Sequence, residues 1–174
     1  MAQIMCTQKL WRRLGYAGRP PSNIAAPLMH SASLGSWAAK VFRYSRKDLV
    51  IGLNERTYFT VVFPLAPRDR FRLNFATAVA DALEDLGLPM KIVRPESAAV
   101  EFEPLTRLTN RSMSGTLNDL EFLCGMELEY HQDLRRVQRN LNDVPHVNRD
   151  PCVPVDAVTQ LFEGADMRGS CASH

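Results

Sequence analysis

The stretch WAAKVFRYSRKDLVIGLNERTYFTVVF, residues 37–63, holds three runs of β-branched and aromatic residues parted by two polar turns. Residues 37–44, 49–53 and 57–63 favour extended backbone, and Ser45-Arg46-Lys47-Asp48 and Asn54-Glu55-Arg56 are short enough to reverse the chain between antiparallel neighbours. A β-meander is predicted. In its third run Phe59, Val61 and Phe63 point one way and Tyr58, Thr60 and Val62 the other, which makes one face the more apolar. The middle run, LVIGL, is apolar on both faces and belongs inside the sheet.

Helices are predicted before and after the meander in the sequence. Pro64 and Pro67 end the third strand because proline lacks the ladder donor, and Asp69 can cap a long helix. Phe71, Phe75, Ala78, Val79, Ala82 and Leu86 give that helix one continuous stripe, which Gly87 and Pro89 stop. Residues 90–93 and 100–102 read as short edge strands interrupted by Pro95. A second long helix carries Leu117, Leu120, Cys124 and Leu128 on one face. A third, over residues 133–141, turns Leu134, Val137 and Leu141 inward and Arg135, Arg136 and Arg139 outward. Residues 151–164 form a loop and a last helix, with Pro154 in its first turn, Val158, Leu161 and Phe162 inward and Gly164 at its end. Towards the N-terminus, Thr7 caps a short helix bearing Leu10 and Leu14, with Gly15 just past its end. Residues 16–34, with the proline-rich GRPPSNIAAP at 18–27, read as a surface loop.

The expectation is therefore an α+β fold, an antiparallel β-meander sheet packed against several α-helices, in a single domain over residues 1–164 with 165–174 as a flexible tail. A length of 174 residues suits one core, and 45% hydrophobic with 23% charged residues is ordinary globular usage. No repeat or Gly/Ser linker divides the chain. The first residues, MAQIMCTQKLWRRLG, lack the apolar run of a signal peptide or a membrane anchor. Cys6, Cys124, Cys152 and Cys171 are irregularly spaced, as reduced thiols in a cytoplasm would be. The compartment expected is cytoplasmic, with no membrane partner.

Signatures of chemistry are few. His30, His131, His146 and His174 never stand four residues apart and no Cys-x-x-Cys occurs, so no metal and no cofactor are expected. Cys124 belongs to an apolar helix face and reads as a core residue, while Cys152 with His146 is a looser pairing. Walker A, G-x-G-x-x-G and G-x-S-x-G patterns are missing. Glu101 with Glu103, and Glu84 with Asp85, read as solvated surface. The net charge of +2 creates no strong field, although 17 of the 21 basic residues are arginine. Arg135, Arg136 and Arg139, and the group Arg68, Arg70 and Arg72, are the candidates for contact with nucleic acid, a partner that is not favoured.

The densest polar group is NRSMSGTLND, residues 110–119. Ser112 or Ser114 can cap the second long helix, Gly115 permits close packing in its first turn, and Asp119 favours the positive end of the dipole. The same helix start can hold an anion on free amides, with Arg111 adding a fork of donors. Asn110, Arg111, Ser112, Ser114, Asn118 and Asp119 are the ligand-binding candidates, and no catalytic residue is assigned.

Five segments carry a resemblance: Cys6-Thr7-Gln8-Lys9-Leu10, Leu34-Gly35-Ser36-Trp37, Asn54-Glu55-Arg56-Thr57, Asn110-Arg111-Ser112 with Gly115, Asn118 and Asp119, and Leu141-Asn142 with Pro145. Together they resemble a family of small uncharacterised bacterial proteins, a domain of unknown function. The likeness spans roughly Cys6 to Phe162, with a longer loop at 18–27, and implies a compact bacterial cytoplasmic protein without implying any activity.

The functional expectation is a noncatalytic binding or regulatory module that recognises a protein or a small anionic ligand around Arg111. The alternative is a hydrolase or nuclease with Asp119 or a histidine as base and Arg111 stabilising negative charge. A nucleic-acid-binding module is the third.

Overall fold

A computed structural model describes residues 2–22, 32–147 and 149–169, with the side chains of 164–169 left out. The predicted meander is present. Its strands are β2 (Trp37–Tyr44), β3 (Lys47–Asn54) and β4 (Thr60–Pro64), paired antiparallel in sequence order. The third strand starts later than predicted because Tyr58 takes a left-handed conformation, φ 59°, inside the preceding turn.

The sheet is mixed and not wholly antiparallel. Two three-residue strands, β1 (Ile4–Cys6) and β5 (Leu105–Arg107), extend it beyond β2, and both pairings of β1 are parallel. The order is β4-β3-β2-β1-β5. A tripeptide is too short to show a period of two, so neither strand stands out from its flanks.

Both faces of the sheet are covered, which overturns the one-apolar-face reading of β4. On one side Phe59, Val61 and Phe63 meet α1 (Gln8–Arg13), α2 (Phe71–Asp85), α3 (Met90–Phe102) and α6 (Pro154–Gly169), through Leu10, Phe75, Val93, Val100, Val158 and Phe162. On the other, Tyr58, Ile51 and Phe42 meet α4 (Arg111–Tyr130) and α5 (Leu134–Asn142), through Leu117, Leu120, Cys124, Leu128, Val137 and Leu141. Leu161 packs against the first core.

Phe75 lies on the backbone of β3. A Cβ added at Gly52 would stand 2.6 Å from its ring, so the glycine in LVIGL lets the largest stripe residue of α2 touch the sheet. Burying a side chain of this size contributes about 1.5–3 kcal/mol.

Several helix boundaries differ from the sequence reading. Residues 90–102 are one helix, α3, instead of two edge strands: Val93, Glu96 and Val100 are buried at helical spacing, and Pro95 inside it removes one donor without ending it. Asp69 lies in a 3-10 turn, Arg68–Arg70, and α2 starts after it with no side-chain cap. Gly164 does not stop α6, which runs to Gly169; the predicted tail therefore overlaps the helix, and residues 170–174 with Cys171 and His174 lie outside the described residues. Residues 23–31 of the proline-rich loop, with His30, also lie outside them. Thr7 does cap α1, and Gly15 follows it at φ 91°.

The β4 edge is closed by a helix. Gln138 Oε1 accepts the Val62 N–H at 3.0 Å, Asn142 Oδ1 accepts the Thr60 N–H at 2.7 Å, and Asn142 Nδ2 donates to the Thr60 carbonyl at 2.8 Å. Two amides of α5 thus stand where a sixth strand would.

Candidate functional site

The turn after β3 is organised by Asn54, which is fully buried. Its Oδ1 accepts from the Arg56 and Thr57 amides and the Thr57 hydroxyl, and its Nδ2 donates to the carbonyls of Leu34 and Ser36. One carboxamide therefore fixes the Asn-Glu-Arg-Thr turn against the chain leading into β2, and the next residue, Tyr58, turns its ring to the α4 side.

Arg149 covers that ring. Its Cζ sits 3.7 Å above the Tyr58 centroid while Nη1 and Nη2 donate to the carbonyls of Arg56 and Glu55 at 2.9 and 3.0 Å. His146 meets the ring edge-on, with centroids 5.1 Å apart. Burial would raise the Tyr58 phenol, but the polar side chains of Arg149 and Ser112, the charge of Arg149 and the Thr116 hydroxyl bring it below the ordinary tyrosine range. Burial and the Arg149 charge push the His146 imidazolium down, and Asp119 acts weakly against them. The Nε2 of His146 is buried without a hydrogen-bond partner among the described residues.

The start of α4 closes the other side. Asn110, not Ser112 or Ser114, is the N-cap, since its Oδ1 accepts the Met113 N–H at 3.2 Å and its carbonyl the Ser114 N–H at 3.1 Å. A serine at the second or fourth helical position is already past the site where a side chain can cap. The Arg111 and Ser112 amides remain without a partner in the helix. Arg111 and Ser112 are exposed, and Ser114 is partly so. Gly115 is exposed with open space where a Cβ would stand, so it serves no close packing.

The structure brings the predicted residues together only in part. Ser112 and Asp119 act on the Tyr58–His146 group. Asn118 turns to β2, where Lys40 Nζ donates to its Oδ1 and pairs with Glu121. Arg111 makes no ion pair or side-chain hydrogen bond among the described residues. On α5, Arg135 is engaged by Asp85 at 2.6 Å, while Arg136 and Arg139 are exposed. Tyr58, Thr116 and Arg149 were not among the site candidates of the sequence. Their signals were the position of Tyr58 directly after Asn54-Glu55-Arg56-Thr57 and that of Arg149 three residues past His146.

Other sequence readings are corrected or located here. Glu103 is not solvated surface; it is 6% exposed, and burial together with the neighbouring Glu96 raises its carboxyl to about 8. Cys6, Cys124 and Cys152 are free thiols, with Cys124 in the core, where burial raises its thiol to about 12. The bond joining His146 to Cys152 is between backbones, N–H to carbonyl at 2.7 Å. Among the described residues no cluster of three His, Cys, Asp or Glu could hold a metal ion, and no helix is long and apolar enough to cross a membrane.

The five segments quoted from the sequence lie within residues 3–157, and that span matches a known family. The chain belongs to DUF6933, a domain of unknown function. The DUF6933 span includes Asn54, Tyr58, the first two turns of α4, His146 and Arg149, and it ends inside α6. No curated protein matches the chain.

Proposed function

We propose that this member of DUF6933 is a noncatalytic, single-domain binding module that takes a small anionic ligand, or an anionic group of a partner protein, at the start of α4. One observation carries the reading: Arg111 stands exposed and, among the described residues, unpaired on the first turn of a 20-residue helix, next to two amides with no helical partner and to the Ser112 hydroxyl. The positive end of the helix dipole and the guanidinium fork favour the same charge. His146 supports the reading because its buried Nε2 lacks a hydrogen-bond partner among the described residues, one that a ligand could supply.

Native mass spectrometry of the protein from its own host, followed by titration with inorganic phosphate and small carboxylates, tests this. Binding should fall at least roughly tenfold in Arg111→Ala, the loss of one charge-assisted contact. Unchanged retention of every copurifying ligand or partner in Arg111→Ala and Asn118→Ala sinks the assignment.

The acidified Tyr58 beside His146, with Asp119 acting on that imidazole, favours a second reading, a hydrolase or nuclease with the group as proton acceptor. Turnover that disappears in Asp119→Asn while the fold persists would select it. Nucleic-acid binding through Arg136 and Arg139 is the third reading. It requires affinity that falls steeply with salt.

A further inference from the structure

Glu103 ends α3 with both carboxyl oxygens buried and, among the described residues, without a hydrogen-bond partner. An ionised carboxylate taken out of water without partners is strongly disfavoured, so the group is held as the neutral acid. Glu96, about two turns earlier on α3, is also buried, but its two oxygens accept the amides of Ser33 and Leu34 at 2.7 and 3.1 Å. The charges of described residues acting on Glu103 are Glu96 on α3, which opposes ionisation, and Arg72 on α2, which favours it less strongly. Arg72 is committed to backbone: its Nη1 donates to the carbonyls of Glu101 and Glu103. The nearby Cys6 thiol stays neutral, raised by burial to about 12.

The amides that Glu96 holds belong to a segment the Asn54 turn depends on. Leu34 accepts from Asn54 Nδ2 at 3.0 Å, and Ser33 accepts from Arg56 Nη1 at 3.0 Å. We propose that the α3–β5 junction is a proton-gated clasp: while Glu103 is neutral, Glu96 holds Ser33 and Leu34, and loss of the Glu103 proton sets two buried carboxylates against each other and loosens that hold. The looseness passes along Leu34 and Ser33 to the Asn54 turn, whatever the start of α4 binds.

Hydrogen exchange of the intact protein, corrected for the intrinsic pH dependence of amides, tests the clasp. Protection at Ser33 and Leu34 should fall by up to roughly tenfold per pH unit between about pH 6 and about pH 9, and Glu103→Gln should remove the fall. Carbon-13 titration of the Glu103 carboxyl in the wild-type protein gives a readout independent of that variant and should place it well above the ordinary glutamate range. Flat protection in the wild type, an equal fall in Glu103→Gln, or an ordinary Glu103 titration would overturn the proposal.

Discussion

Asn142 takes both backbone hydrogen-bonding positions of Thr60, accepting its N–H at 2.7 Å and donating to its carbonyl at 2.8 Å, with both residues buried. Truncation to Asn142→Ala leaves two buried backbone groups unpaired. The expected loss is about 2–4 kcal/mol in denaturant-induced unfolding. Gln138→Ala, which strands only the Val62 N–H, should lose about half as much.

Gly52→Ala places a methyl where the Phe75 ring already lies, 2.6 Å away. Destabilisation of about 1–3 kcal/mol is expected. Combining it with Phe75→Leu should yield less than the sum of the two single losses, because the clash partner is gone. Additive losses in a double-mutant cycle would show that the two positions do not meet.

Arg149→Ala removes the polar group and the charge that lower the Tyr58 phenol. Tyr58 should then titrate at higher pH, measured by carbon-13 chemical shift of its ring. Arg149→Lys should not restore the wild-type value, since a lysine cannot bridge the two carbonyls of Glu55 and Arg56 with a planar fork while covering the ring. A Tyr58 titration unmoved in both variants would detach Arg149 from the phenol.

Glu103 is raised on folding from 4.5 to about 8, so the folded state binds its proton more tightly than the unfolded state does. The stability it contributes is fully present below the unfolded value, and is lost as pH rises through the folded value, at up to about 1.4 kcal/mol per unit. Thermal unfolding followed across that window should show the decline in the wild type. Glu103→Gln should flatten it.

The meander and the long helices were legible because their periods are sustained: Phe71, Phe75, Ala78, Val79 and Ala82 are all buried on α2, and Leu117, Leu120, Cys124 and Leu128 on α4. The parallel strands beyond β2 were not, since Ile4–Cys6 and Leu105–Arg107 pair with residues far away in the chain and carry no local pattern. Pro95 misled for a physical reason: a missing donor disrupts a strand or a helix alike, and only the burial of Val93, Glu96 and Val100 tells them apart. At the candidate site Ser112 and Asp119 could be read from the dense polar run. Tyr58, His146 and Arg149 could not be joined to it, because aromatic stacking across about ninety residues leaves no trace in spacing.

Arg149 fastens the carbonyls of residues 93 and 94 positions earlier. During synthesis the sheet strands β2 to β4 emerge long before this arginine does, so the Tyr58 ring stays uncovered until residue 149 has been made. A chain clipped before residue 146 would lose the imidazole and the guanidinium that cover Tyr58 together with the core residues of α6, which makes the integrity of the C-terminal segment a condition for anything this end of the sheet recognises.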